Sequence, residues 1–173
     1  MLRHLTRFFM PSLAIQHAYT LYAHLNAESR DVRFFEAWGV PDTLDGRFEM
    51  IVAHMFCYLH TMKQDASDTT DMQRLLIEAF FQDMDRSVRE LGVGDTGVSK
   101  RIKVMANAFY GRLNAYELGL TNAEMFAKAV RTNVYGTLPE DAPCDVTSIC
   151  AYLHEKINAL KGQNVCESRF FVL

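Results

Sequence analysis

Arg47-Phe48-Glu49-Met50-Ile51-Val52-Ala53-His54-Met55-Phe56-Cys57-Tyr58-Leu59 places bulky apolar side chains at positions 48, 51, 52, 55, 56 and 59. That is the i, i+3, i+4, i+7 rhythm of a helix with a buried stripe. Asp42 or Thr43 stands where an N-cap belongs, and Asp45 falls in the first turn, where a carboxylate favours the helix dipole. Strand signals are nearly absent: the Asp45-Gly46 pair opens this helix instead of turning a hairpin. The stretch therefore decides for an all-α fold.

The same periodicity recurs on both sides. Upstream, a helix is expected from about Ser12, with Leu13, Ala14, His17, Leu21, Tyr22 and Leu25 as its stripe, followed by a short one from Val32 to Trp38. Gly39-Val40-Pro41 breaks the chain. Downstream, a polar loop over 65–70 leads to a helix over 71–91. Gly92, Gly94 and Gly97 make a connector, and a long helix resumes near Ser99 and reaches Leu118. Thr121-Asn122-Ala123-Glu124 has the form of a capping box with Thr121 as cap. It opens a helix to about Tyr135, and a last helix spans 146–160 before Gly162. The terminal Phe170-Phe171-Val172-Leu173 packs back, binds a partner or frays. The sum is one bundle of six or seven helices. Residues 1–33 form an N-terminal helical part, 34–136 a core, and 137–173 a C-terminal helix and tail on the same domain.

Of 173 residues 49% are apolar and 23% charged, as in ordinary soluble domains. The net charge of −3 argues against direct nucleic-acid recognition. Four cysteines without Cys-x-x-Cys spacing fit free thiols in a reducing compartment. No apolar run has the length of a membrane span. The first 27 residues carry no acid but do carry Arg3, His4, Arg7, His17 and His24. This fits a transit peptide, or a retained amphipathic segment that touches an anionic membrane.

Few patterns point to catalysis. Gly92 and Gly97 have phosphate-loop separation, but Val98 occupies the lysine position and a helix precedes. His54, Cys57 and His60 recur every third residue, which drifts around a helix and lacks a fourth ligand. A metal-dependent or hydrolytic enzyme using these groups, or carboxylate pairs such as Asp83 and Asp85, stays open as the alternative. His54 or His60 as a haem ligand is a further one. The sharpest segment runs from acid through glycine to base: Asp83, Asp85 and Arg86, then Gly92-Val93-Gly94-Asp95, then Lys100, Arg101 and Lys103. Its plain reading is a glycine-jointed helix hairpin with solvated charges; a middle reading pairs Asp83 or Asp85 with Lys100 or Lys103 across the hairpin. Its functional reading is a surface that orients a partner. Tyr110 beside Arg112 has hot-spot composition.

Four ordered blocks carry a resemblance. They are Gly39-Val40-Pro41-Asp42-Thr43-Leu44-Asp45-Gly46-Arg47-Phe48-Glu49-Met50, the pattern from Phe81 to Lys103, Ala108-Phe109-Tyr110-Gly111-Arg112, and Arg131-Thr132-Asn133-Val134-Tyr135-Gly136. Together they resemble the ubiquinol–cytochrome c chaperone family over roughly 34–135. The resemblance implies an α-helical, non-enzymatic assembly factor of respiratory complex III that attends newly made cytochrome b or another complex III subunit. It also implies a small co-chaperone and ribosomes as neighbours in the mitochondrial branch. It implies no catalytic residue, metal or cofactor. The short N-terminal region looks more like the bacterial branch, at the cytoplasmic face of the inner membrane. The mitochondrial alternative is the matrix side. Asp83, Asp85, Arg86, Asp95, Lys100, Arg101, Lys103, Tyr110 and Arg112 are the candidate partner-binding positions. A membrane-surface adaptor working through the basic N-terminus is the remaining alternative.

Overall fold

A computed structural model describes residues 13–65 and 69–163. The expected helix start at Ser12, the basic N-terminal residues 1–12 and the apolar end 170–173 lie outside the described residues. Among the described residues seven helices follow one another: α1 (Leu13–Glu28), α2 (Val32–Glu36), α3 (Leu44–Gln64), α4 (Thr70–Glu90), α5 (Asp95–Gly119), α6 (Ala123–Val134) and α7 (Val146–Leu160). Among the described residues there is no strand.

α3 is the axis of the bundle. Periodicity predicts one buried stripe, yet every residue from Glu49 to Leu59 is buried. α1, α4, α5, α6 and α7 all touch it, so it has no solvent side left. A helix enclosed on all sides must be apolar around its circumference, and Met50, Ala53, Cys57 and Tyr58 fill the positions that the stripe omits. α1 lies against α3 and α4, α5 against α4, α3 and α6, and α7 against α3 and α6. Where α1 begins the stripe does not hold. Leu13 is 84% exposed, and burial starts at Ala18 and continues through Leu21, Tyr22 and Leu25.

The turn into α3 explains its own sequence. Thr43 caps the helix, its hydroxyl accepting from the Gly46 amide at 3.1 Å. Gly46 is pressed against the preceding loop: a β-carbon there would sit 1.9 Å from the Pro41 carbonyl oxygen. Gly39 takes a φ of +71°, a region that favours glycine, and a β-carbon there would stand 2.8 Å from the Pro143 carbonyl oxygen. The neighbouring Trp38 carbonyl accepts from the Tyr135 hydroxyl at 2.8 Å and from the Asp145 amide at 3.1 Å. The chain between α2 and α3 is thus clasped by the end of α6 and the start of α7.

Two caps differ from expectation. α6 is capped by Asn122, not Thr121. The Asn122 carboxamide oxygen accepts from the amides of Glu124 and Met125, each at 3.0 Å. α5 starts at Asp95, four residues before Ser99, and takes Gly97 into its first turn. Glycine is a weak helix former, not a forbidden one, and Val93 closes over it: a β-carbon on Gly97 would lie 2.7 Å from Val93 Cγ1.

Candidate partner-binding surface

α4 and α5 form the hairpin on which the acid–glycine–base segment lies, joined through Gly92 at φ +76°. The charges pair differently from the Asp–Lys expectation. Arg86 pairs with Asp83 one turn back, and Arg89 reaches Asp85 at 2.6 Å. Arg89 also crosses the connector to Asp95. Local i, i+3 and i, i+4 geometry puts Asp83 and Asp85 within reach of arginines on their own helix, so they pair there and not with the lysines of α5.

Asp83 faces α1 as well. Its carboxylate accepts from the Tyr22 hydroxyl at 2.7 Å, and burial followed by this contact holds the Tyr22 phenol well above its ordinary range. Arg112 turns inward to the buried Glu49 and lies 5.6 Å from the centre of the Phe48 ring. Burial raises the Glu49 carboxyl above its usual range, although the Arg112 guanidinium pulls the other way. Asp83 and Arg112 therefore brace α4 against α1 and α5 against α3.

Lys100, Arg101 and Lys103 stand exposed on α5, and none makes an ion pair among the described residues. Tyr110 is 54% exposed, its ring edge-on to the buried Phe109 at 5.1 Å. Helical geometry places Lys100, Lys103, Val104, Asn107, Tyr110, Gly111, Asn114 and Leu118 on one outward side, with Arg101 at its flank. Val104 and Leu118 are 63% and 57% exposed. From Val104 to Leu118 this side has no charge. Sequence reasoning found the cations and Tyr110 and missed the neutral strip beyond them. The signal was the spacing of 104, 107, 111, 114 and 118, which is as periodic as any core stripe.

The residues weighed for metal or haem are separated by their partners. His54 is buried, with Nδ1 2.8 Å from the Met50 carbonyl oxygen and Nε2 2.8 Å from the Tyr152 hydroxyl. Burial pushes its pKa down to about 4. The Cys57 thiol, also buried and pushed up to about 12, approaches the Leu153 carbonyl at 3.8 Å. His60 points elsewhere, with Nδ1 2.9 Å from Glu117. Among the described residues no three His, Cys, Asp or Glu side chains are placed to hold a metal ion. Nor is any described helix long and apolar enough to cross a membrane.

Comparison with known proteins agrees with this architecture. The crystal structure of the Cbp3 homolog from Brucella abortus superposes with a TM-score of 0.76 at 34% identity, covering 95% of this chain and 90% of that one. Ubiquinol-cytochrome c reductase complex assembly factor 1 of Homo sapiens is 26% identical over 132 residues, and that of Mus musculus 25%. This chain spans 44% of the length of each of those two proteins. The corresponding protein of Xenopus laevis is 23% identical over 128 residues and is covered to 64%. A family model matches residues 36–167, running past Gly136 through α7. With that match over most of its length, the chain belongs to the Ubiquinol-cytochrome C chaperone family.

Proposed function

We propose that this chain is an assembly chaperone of ubiquinol–cytochrome c reductase, respiratory complex III, and that it acts by binding, without catalysis. Its client is newly made cytochrome b, held at the face of the inner membrane. Family membership and the likeness to complex III assembly factors support this reading. The structural observation that carries it is the outward side of α5. Three cations without ion-pair partners among the described residues adjoin a neutral strip bearing Val104, Tyr110 and Leu118. Such a surface loses little on desolvation, while the cations orient an approaching partner.

Within the candidate set, Lys100, Arg101, Lys103 and Tyr110 touch the client in this proposal. Asp85, Arg86 and Asp95 border the contact, and Asp83 and Arg112 hold its scaffold in place. The test is deletion of the gene in a host that respires through complex III, with cytochrome b measured by its b-type haem absorbance in membranes. Loss of that absorbance, restored by the wild-type gene and not by a Lys100→Glu/Lys103→Glu variant, is the expected result. Normal cytochrome b and complex III after deletion would sink the proposal.

A further inference from the structure

Between the C-terminal ends of α3 and α7 and the turn after α5 lies a cavity of about 750 Å³. Two imidazoles line it, His60 from α3 and His154 from α7, together with the apolar Leu120 and Ile157 and the exposed Asn158 and Lys161. A row of buried rings fixes both histidines. His60 lies 5.7 Å from Phe56 and His154 4.7 Å from Phe126, centre to centre. Tyr116 joins Phe56 to Phe126 at 5.3 and 5.9 Å. The His60 side chain is 12% exposed, and its Nδ1 stands 2.9 Å from the Glu117 carboxylate. A carboxylate only accepts, so Nδ1 carries the proton and Nε2 keeps its lone pair. In this arrangement a carboxylate orients a histidine toward a metal and strengthens it as a ligand.

From this we infer that the cavity is a haem site, in which His60 ligates the iron of an iron porphyrin through Nε2 and His154 takes the opposite axial position. The inference goes beyond the chaperone proposal and does not depend on it. Three observations select this occupant. First, a bare metal ion takes three or four protein ligands, and among the described residues no three His, Cys, Asp or Glu side chains are placed to supply them. An iron porphyrin brings four nitrogens of its own and asks the protein for only one or two axial imidazoles. Second, the cavity falls within the range of roughly 300–1,000 Å³ typical of cofactor sites, and Leu120 and Ile157 offer the ring apolar surface. Third, the Lys161 ammonium, which donates to the neutral Asn158 carboxamide at 3.1 Å, is placed to pair with a propionate. A small anion such as inorganic phosphate is the poorer occupant: Asp65 and Glu117 repel it, and the apolar walls give it nothing.

The test titrates the purified full-length protein with haemin, iron(III) protoporphyrin, and follows the Soret band. The expected result is saturation at one haemin per chain, with the six-coordinate, low-spin spectrum of two imidazoles. His60→Ala weakens binding by about tenfold or more, and added imidazole restores the band. His154→Ala leaves the iron five-coordinate and high-spin. Glu117→Gln keeps His60 but removes the carboxylate that makes it a stronger ligand, so the reduction potential of the bound iron rises. His24→Ala, on α1, changes none of these readings. Each variant is also melted; should His60→Ala not fold, the spectrum of His154→Ala and the potential of Glu117→Gln decide. Several outcomes overturn the inference: no saturation at one haemin per chain, undiminished affinity in a folded His60→Ala protein, an unchanged spectrum in His154→Ala, an unchanged potential in Glu117→Gln, or an equal loss in His24→Ala. None of these bears on cytochrome b after gene deletion, so the chaperone proposal stands or falls separately.

Discussion

α4 and α5 are the two arms of one hairpin, of 21 and 25 residues, and they treat charge in opposite ways. All three arginines of α4, Arg74, Arg86 and Arg89, are paired with carboxylates of α4 itself, and Arg89 also with Asp95 at the start of α5. α4 therefore leaves none of its arginines unpaired. On α5 the buried side carries the paired arginine, Arg112, while Lys100, Arg101 and Lys103 face outward without ion-pair partners among the described residues. Two helices of similar length thus divide into an arm whose arginines are paired and an arm whose outward cations remain open. What separates them is the supply of carboxylates: α4 carries five, several of them one turn from an arginine, whereas α5 carries two, Asp95 and Glu117.

Substitutions test this division, and their effects on folding and on client binding run in opposite order. The largest loss of stability belongs to the inward side of α5. Arg112→Ala leaves Glu49 buried and unpaired and costs about 3–5 kcal/mol in denaturant unfolding. A loss below about 1 kcal/mol would break the distinction between the two sides of α5. Next comes the brace between α1 and α4. Tyr22→Phe removes the hydroxyl that Asp83 accepts from and costs about 1–3 kcal/mol, read from the same unfolding curves. Arg89→Ala, which removes two exposed pairs, moves Tm little, and its effect fades in high salt. Smallest is the triple change Lys100→Ala, Arg101→Ala, Lys103→Ala. It leaves Tm at the wild-type value while slowing client association and flattening its salt dependence. If the triple variant binds its client at the wild-type rate and Arg89→Ala does not, the roles of the two arms are reversed.

Much of the fold is written in local pattern. The central helix and the helices from 70 onward follow apolar spacing, and the Thr43 cap and the opening role of Asp45-Gly46 are legible from residue type. What local pattern does not contain is enclosure. Residues 49–59 look amphipathic only because Glu49 and His54 interrupt the apolar run, and both are buried with partners far away in sequence. The candidate surface was legible to the same degree. Exposed cations and Tyr110 follow from composition and spacing. The inward turn of Arg112 depends on Glu49 63 positions away, and that of Asp83 on Tyr22 61 positions away. The start of α5 was misplaced because Gly97 reads as a breaker until Val93 is seen to close over it.

The clasp around Trp38 and Gly39 bears on how the protein can be cut. A fragment trimmed at Gly136 keeps all four recognisable sequence blocks, yet it discards the Asp145 amide from the Trp38 carbonyl and the Pro143 wall from Gly39. It also takes Tyr152 and Leu153 from the flank of α3, uncovering His54 and Cys57. The smallest piece of this chain that retains a closed interior reaches at least to Leu160, so its recognisable blocks cannot be excised as a free-standing module.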